Sequence, residues 1–234
     1  MQTKRDAAIV DWVARIGAAG AQEVMARFGM GRSCAYARLR RLVADGLLEQ
    51  RALLYRQPGL YVATAEGLRC ARLERLGVFR LSAGGFEHAR RLAGVAVELH
   101  RVLSGWRQLC ERELRVAESD AGGLVGSVRV GELPGGRPAV HRPDLVLIAP
   151  DEGVWAVEVE LSVKAPRRLE AICRGYARAR HLQRVVYLAA PAPARAVARA
   201  VGQTRAQERI VVLALEDTGA VGRLVGEGVA GVRV

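Results

Sequence analysis

Lysine is nearly missing from this sequence: Lys4 and Lys164 stand against thirty-four arginines. Any site in the second half of the chain that needs a lysine must therefore use Lys164. No window approaches the run of about 18 apolar residues that a membrane helix needs, so no span is expected. The first residues, MQTKRDAAIVDW, are charged and lack a long apolar core; no secretory signal is read there, and a cytoplasmic location is expected. Cys34, Cys70, Cys110 and Cys173 are widely scattered, with no CxxC pair and no histidine at zinc-ligand spacing. They are expected to be small buried hydrophobes.

Positive charge is in excess. The formal net charge is +12 and the pI about 10.6, which points to a polyanionic partner. Residues 1–80 hold 14 Lys+Arg against 7 Asp+Glu, and residues 81–234 hold 22 against 17. An Arg-, Ala-, Gly- and Val-rich composition also accompanies GC-rich genomes, so charge has to be weighed with pattern. The length suits two domains, read as 1–80 and 81–234 in an α+β architecture.

Residues 4–17 place Ile9, Trp12, Val13 and Ile16 at helical spacing, and Ala21–Phe28 repeats the pattern with Val24, Met25 and Phe28. After a Gly29-Met30-Gly31 turn, a third helix packs through Ala35, Leu39, Leu42 and Val43. It turns Ser33, Ala37, Arg40 and Arg41 outward, with Tyr36 and Arg38 on the flanks. Strands at 48–55 and 60–63 then flank a Pro58-Gly59 turn. This order resembles a winged helix-turn-helix. The bland alternative is a charged helix beside a hairpin with no ligand, and the order of elements favours the former. Such a basic helix suits the DNA major groove, where Arg forks onto guanine or grips phosphate. The candidate DNA-binding residues are Arg32, Ser33, Tyr36, Arg38, Arg40 and Arg41 on the helix, with Arg51 and Arg56 on the wing.

Thr64 caps a helix expected to run to about Leu76. A long helix covers Gly84–Leu103, in which His100 is read as a packing or solvent-facing residue. Residues 106–118 and 124–133 read as strands, followed by a loop.

The stretch His141–Lys164 reads as two apolar strands joined at Asp151-Glu152-Gly153. With a side-chain period of two, Val157, Val159, Leu161 and Val163 point one way, and Glu158, Glu160, Ser162 and Lys164 the other. Asp144 opens the first strand after Pro143. A charged face is often just the solvated side of an antiparallel pair. Here strands alternate with helices, however, and such sheets are covered on both faces, where carboxylates need a partner or a cation. Asp144, Glu158 and Glu160 are the candidate catalytic acids, and Asp144 with Glu158 the candidate metal ligands. Lys164 lies four residues beyond Glu160, about 13 Å along an extended strand, too far to reach that position unless the chain bulges or turns; the bland reading is a charged residue leaving the strand just before a helix. His141 and Arg142 sit at the mouth. The following helix packs through Leu169, Ile172, Cys173 and Tyr176. It gathers Arg167, Arg174, Arg178 and His181 within about 60° on the other side, a candidate phosphate track as well as an ordinary wet face. Strands at 184–189 and 210–215, a helix at 194–204 and a weak strand or coil tail complete the chain.

Pro143-Asp144 followed by Glu158-Val159-Glu160 resembles the PD-(D/E)xK nuclease fold, an α/β mixed sheet. That resemblance implies Mg²⁺ on Asp144 and Glu158 and a carboxylate from the helix before the sheet, for which Glu98 is the candidate; the lysine slot of the motif holds Glu160 instead. With the winged helix, the linking helix and Arg168-Leu169…Tyr176, residues 4–190 resemble the replication-relaxation family of DNA-binding accessory proteins of mobile elements. The resemblance implies sequence-specific binding to double-stranded DNA as a transcription regulator or as a replication or mobilisation accessory. It adds relaxosome or replication proteins as partners; a homodimer is expected on general grounds, because winged-helix readers often meet two half-sites. The nuclease-like domain would serve scaffold, dimer or phosphate contacts. The competing reading is a Mg²⁺-dependent endonuclease targeted by the winged helix. The missing motif lysine inclines the reading towards a binder that is not an enzyme.

Overall fold

In a computed structural model, residues 3–230 are described, and they form two compact units, one ending at Val97 and one starting at Glu98. The architecture is α+β in two domains.

The first unit begins with α1 (Lys4–Ile16), where Thr3 and Asp6 form a reciprocal capping box. Ile9, Val10, Val13, Ala14 and Ile16 are buried along it. Then come β1 (Ala18–Ala19), α2 (Ala21–Phe28), α3 (Arg32–Ala44), β2 (Leu48–Arg51), β3 (Leu60–Ala63) and α4 (Ala65–Cys70). Gly29 ends α2 in the left-handed conformation at φ 60°, a region costly for residues with a Cβ. The strands form an antiparallel sheet in the order β1-β3-β2, with Ala18 opposite Val62 and Leu48 opposite Ala63. The ladder between β2 and β3 stops at Arg51–Leu60, so residues 52–59 are loop where strand was expected up to Tyr55.

Thr64 caps α4 as expected, accepting from the Gly67 amide at 3.0 Å while its hydroxyl donates to the Gly46 carbonyl at 2.6 Å. The helix is shorter than the sequence indicates: it ends at Cys70, and a 3-10 turn follows at Glu74–Leu76. A Cβ at Gly67 would run into the Leu47 carbonyl oxygen, so this close approach requires glycine. The long helix α5 (Phe86–Val102) starts within the first unit, where Phe86 and Ala89 pack with Ala18, Leu60 and Val62. The expected boundary at residue 80 therefore differs from the observed division, because these two side chains complete the first core.

The second unit contains β4 (Arg107–Cys110), α6 (Glu111–Ala121), β5 (Val128–Glu132), β6 (Pro138–His141), β7 (Leu145–Ile148) and β8 (Val154–Glu160). After these come α7 (Pro166–Arg178), β9 (Arg184–Ala189), α8 (Pro191–Thr204), β10 (Ile210–Ala214) and α9 (Thr218–Ala230). The main sheet runs β10-β9-β8-β7-β4, parallel from β8 to β10 and antiparallel from β8 to β4. The strand expected at 106–118 is only four residues of β4 followed by α6. Glu, Arg, Leu and Ala there favour a helix, and the Glu113 carboxylate reaches back to the Cys110 amide at 3.1 Å. The expected coil tail contains α9, while residues 231–234 lie outside the described part. β5 and β6 form a separate hairpin seated on α7. A Cβ at Gly175 would come within 2.8 Å of the Arg129 carbonyl oxygen.

Gly67→Ala is expected to destabilise the first unit by about 1–3 kcal/mol, the usual result of overpacking against backbone. The check is a lowered urea midpoint for that unit's transition; an unchanged midpoint contradicts the close approach.

Candidate functional site

The acid cluster is built by strand register. Leu145 pairs with Val157, so the next step along the ladder sets Asp144 across from Glu158. Asp144 Oδ2 accepts the Val159 amide at 2.8 Å, and the Asp144 carbonyl accepts the Glu111 amide at 3.1 Å. Both faces of β8 are covered, leaving Glu158 2% and Glu160 4% exposed. The solvated-face alternative is thereby overturned for this strand. Buried carboxylates need donors. Glu158 has two: His141 Nε2 lies 2.6 Å from its Oε1, and the Tyr176 hydroxyl donates to the same oxygen.

His141 reaches this point from the end of β6, and Tyr176 from the buried face of α7. Their rings meet edge to face with centroids 5.9 Å apart. Burial, reinforced by the Glu158 charge, pushes the Tyr176 hydroxyl well above its ordinary value, and the same two causes raise Tyr187. Burial and Glu158 push the Cys173 thiol up to about 12. The tyrosines therefore stay protonated beside Glu158, as a hydrogen-bond donor must.

The chain turns after β8, the one case in which Lys164 comes back within reach of Glu160. β8 ends at Glu160, the backbone bends at Ser162, and the Lys164 ammonium folds back onto the Glu160 carboxylate. The alternation expected to continue through Val163 stops there too, and Val163 is exposed. Glu98 forms an ion pair with Arg101 on its own helix. A further buried carboxylate of this unit is Glu118 on α6. Its Oε1 accepts the Val125 and Ser127 amides at 3.1 and 3.0 Å, and its Oε2 accepts the Ser127 hydroxyl at 2.8 Å with Arg142 Nε 3.4 Å away.

Protein donors occupy one oxygen of each acid expected at the Mg²⁺ site. Asp144 Oδ2 holds an amide, Glu158 Oε1 holds His141 and Tyr176, and Glu160 holds an ammonium. Among the described residues, no group of three or more His, Cys, Asp or Glu side chains could hold a metal ion.

In the first unit, α3 buries Ala35, Leu39 and Leu42, while Val43, expected beside them, is 36% exposed. Arg32, Ser33, Ala37, Arg40 and Arg41 are exposed. Tyr36 is half-buried with the Arg32 guanidinium 5.7 Å from its ring centre, and Arg41 lies 3.7 Å from Asp45. Arg38 points elsewhere: its guanidinium donates to buried Asp6 at 2.6 Å and to Thr3 at 3.1 Å, fastening α3 to α1. Burial alone would raise the Asp6 carboxyl, but the Thr3 hydrogen bonds and Arg38 outweigh it and hold the group below its ordinary value. In the β2–β3 region Arg51 pairs with Glu49 at 2.7 Å. Tyr55 is 88% exposed, with Arg56 stacked 5.5 Å from its ring centre. Cys110 and Cys173 are buried as expected, whereas Cys34 and Cys70 are exposed because they lie on outward helix positions.

Comparison of the chain with protein-family models, with curated proteins and with solved structures returns no match.

The depressed Asp6 carboxyl contributes stability that is complete above about pH 4, near the ordinary value of 3.8, and is lost as pH falls through the lowered one. Asp6→Asn should remove about 1.5–3 kcal/mol at neutral pH and flatten the acid limb of the first unit's stability profile. Lys164→Met strands Glu160 and should destabilise the second unit by about 2–4 kcal/mol. This is discounted from a fully buried pair because Lys164 keeps 26% of its side-chain surface. Mg²⁺ or Mn²⁺ should leave the wild-type Tm unmoved; a metal-dependent rise contradicts the donor assignment.

Proposed function

We propose that this chain is a sequence-specific double-stranded DNA-binding protein whose first unit is a winged helix. Helix α3 enters the major groove and the β2–β3 loop acts as the wing. The observation that carries this reading is the division of labour along α3. Ala35, Leu39 and Leu42 are sealed against the unit, Arg38 fastens the helix from its flank, and Arg32, Ser33, Arg40 and Arg41 face outward. The small outward residues Ser33 and Ala37 let the helix backbone approach a groove, and arginine supplies the fork for guanine O6 and N7. Tyr55 and Arg56 at the loop tip suit a neighbouring phosphate or the minor groove.

The second unit, in this reading, keeps the strand and acid pattern of a PD-(D/E)xK nuclease as a scaffold without cleavage. Support comes from the protein donors that already satisfy Glu158 and Glu160. A regulator or a mobilisation accessory of a mobile element, acting as a dimer on paired half-sites, follows from the same reading.

The test is selection of a preferred site from random duplexes, followed by binding titrations. Arg40→Ala should lower discrimination for that site by about 1–3 kcal/mol, roughly 5- to 150-fold. Failure to enrich any sequence, or an Arg40→Ala variant that discriminates like wild type, overturns the proposal. Duplex incubated with the protein and Mg²⁺ or Mn²⁺ should stay intact; cleavage lost on Asp144→Ala would establish the enzyme instead.

A further inference from the structure

The positive charge of the second unit is concentrated in one place. Residues 98–234 carry 20 Lys+Arg and 16 Asp+Glu, yet residues 165–207 hold nine arginines and a single acid, Glu170. The remainder of the unit is left with eleven basic and fifteen acidic residues, a net negative surround. A genome-wide preference for arginine would spread the charge evenly. This distribution is not even.

The fold turns that stretch into a surface. Helices α7 and α8 lie side by side on one face of the main sheet, and both feed the same core. Leu169, Ile172, Cys173 and Tyr176 enter it from α7, and Val197, Ala200 and Val201 from α8, over Ala156, Val185 and Tyr187 of the strands. At 100° per residue, the positions opposite this buried face are Arg167, Arg174 and Arg178 on α7, with Arg195 and Arg199 on α8. All five are exposed. Glu170, 3.4 Å from Arg174, is the one carboxylate on either helix. The α7 row spans about 16 Å, the length over which one strand of B-DNA presents roughly five phosphates.

We infer that the outer face of α7 and α8 is a second DNA contact, sequence-independent, that grips the phosphate backbone of a duplex. The side chains between the arginines decide against other polyanions. Outward positions on α8 include Ala198 and Gly202, and on α7 Ala171, so the two helices can approach a rigid rod closely. Neither helix exposes a Trp, Phe or Tyr on which single-stranded bases could stack. Neither offers the outward Leu, Phe or Trp that an interfacial helix buries in a lipid surface. Arginines set among small residues on a flat two-helix layer suit backbone phosphates. The inference rests on the proposed function only in taking DNA as the polyanion; it requires nothing of α3.

The test uses the full chain and a random-sequence 20-base-pair duplex, with dissociation constants measured from low to moderate salt. The five-fold variant Arg167→Ser, Arg174→Ser, Arg178→Ser, Arg195→Ser and Arg199→Ser changes only exposed side chains, and its melting curve checks that it folds. Each lost phosphate contact lowers the slope of log Kd against log salt by about 0.9. A fall of about 3–4 in slope is expected, with affinity for random duplex reduced more than about 100-fold near 0.1 M salt. An unchanged slope and affinity overturn the inference, as does a loss seen only with single strands or anionic vesicles while duplex binding is kept. The two readings fail separately. A five-fold variant that binds random duplex like wild type, while Arg40→Ala still loses site discrimination, sinks only this inference. A chain with no preferred site whose duplex affinity depends on the five arginines sinks only the sequence-specific reading.

Discussion

The buried carboxylate of Glu158 is the constraint around which the second unit is arranged. A carboxylate on the middle strand of a sheet covered on both faces is expensive to desolvate, and neighbours on its own strand cannot supply donors. The donors come from elsewhere in the chain: His141 at the end of β6 and Tyr176 on α7. Satisfying one side chain therefore fixes the seating of a hairpin and a helix against the sheet. Two further details follow from the same requirement. Gly175 lets α7 lie close enough to β5, and Glu118 gathers the amides of residues 125 and 127 so that the hairpin starts from a fixed point.

The first unit solves a related problem with one pair. Asp6, almost wholly buried, both completes the capping box with Thr3 at the start of α1 and pairs with Arg38 on α3. That double duty sorts the arginines of α3 by role. One is turned inward to hold the helix, and those at positions 32, 40 and 41 are left facing out. In both units, an acid far from any solvent-facing chemistry orients the element that carries the exposed cations or the buried cluster.

Much of the first unit was legible because its helices have strong periodicity. The spacing of Ile9, Val13 and Ile16, and of Ala35, Leu39 and Leu42, leaves little choice of face. Val43 was misplaced because it lies at the edge of that arc, where one helix-wheel step separates buried from exposed. Arg38 on the flank gave no sign of its partner, since the Asp6 it meets is thirty-two residues away. In the second unit, Asp144, Glu158 and the covering of the sheet were readable from alternation and order. Periodicity does not say where a strand stops, so the bend after Glu160 that brings Lys164 back is not legible from alternation. Helix α6 was hidden because Leu114 and Val116 between charged residues imitate strand alternation. Spacing marks Tyr176 as a packing residue, and the further signal for the cluster is that a buried phenol needs a hydrogen-bond partner.

The outward cations on α7 and α8 are all guanidinium groups, and this has a regulatory consequence. A guanidinium keeps its proton at every physiological pH and is not a target for acetyl transfer to an ε-amine. Within this chain such acylation has two possible substrates, Lys4 near the start and Lys164, which is half-shielded and paired. The charge of that two-helix surface is therefore set at synthesis. Ionic strength, competing anions and arginine methylation can change how it meets a partner; acidity and lysine acylation leave it untouched.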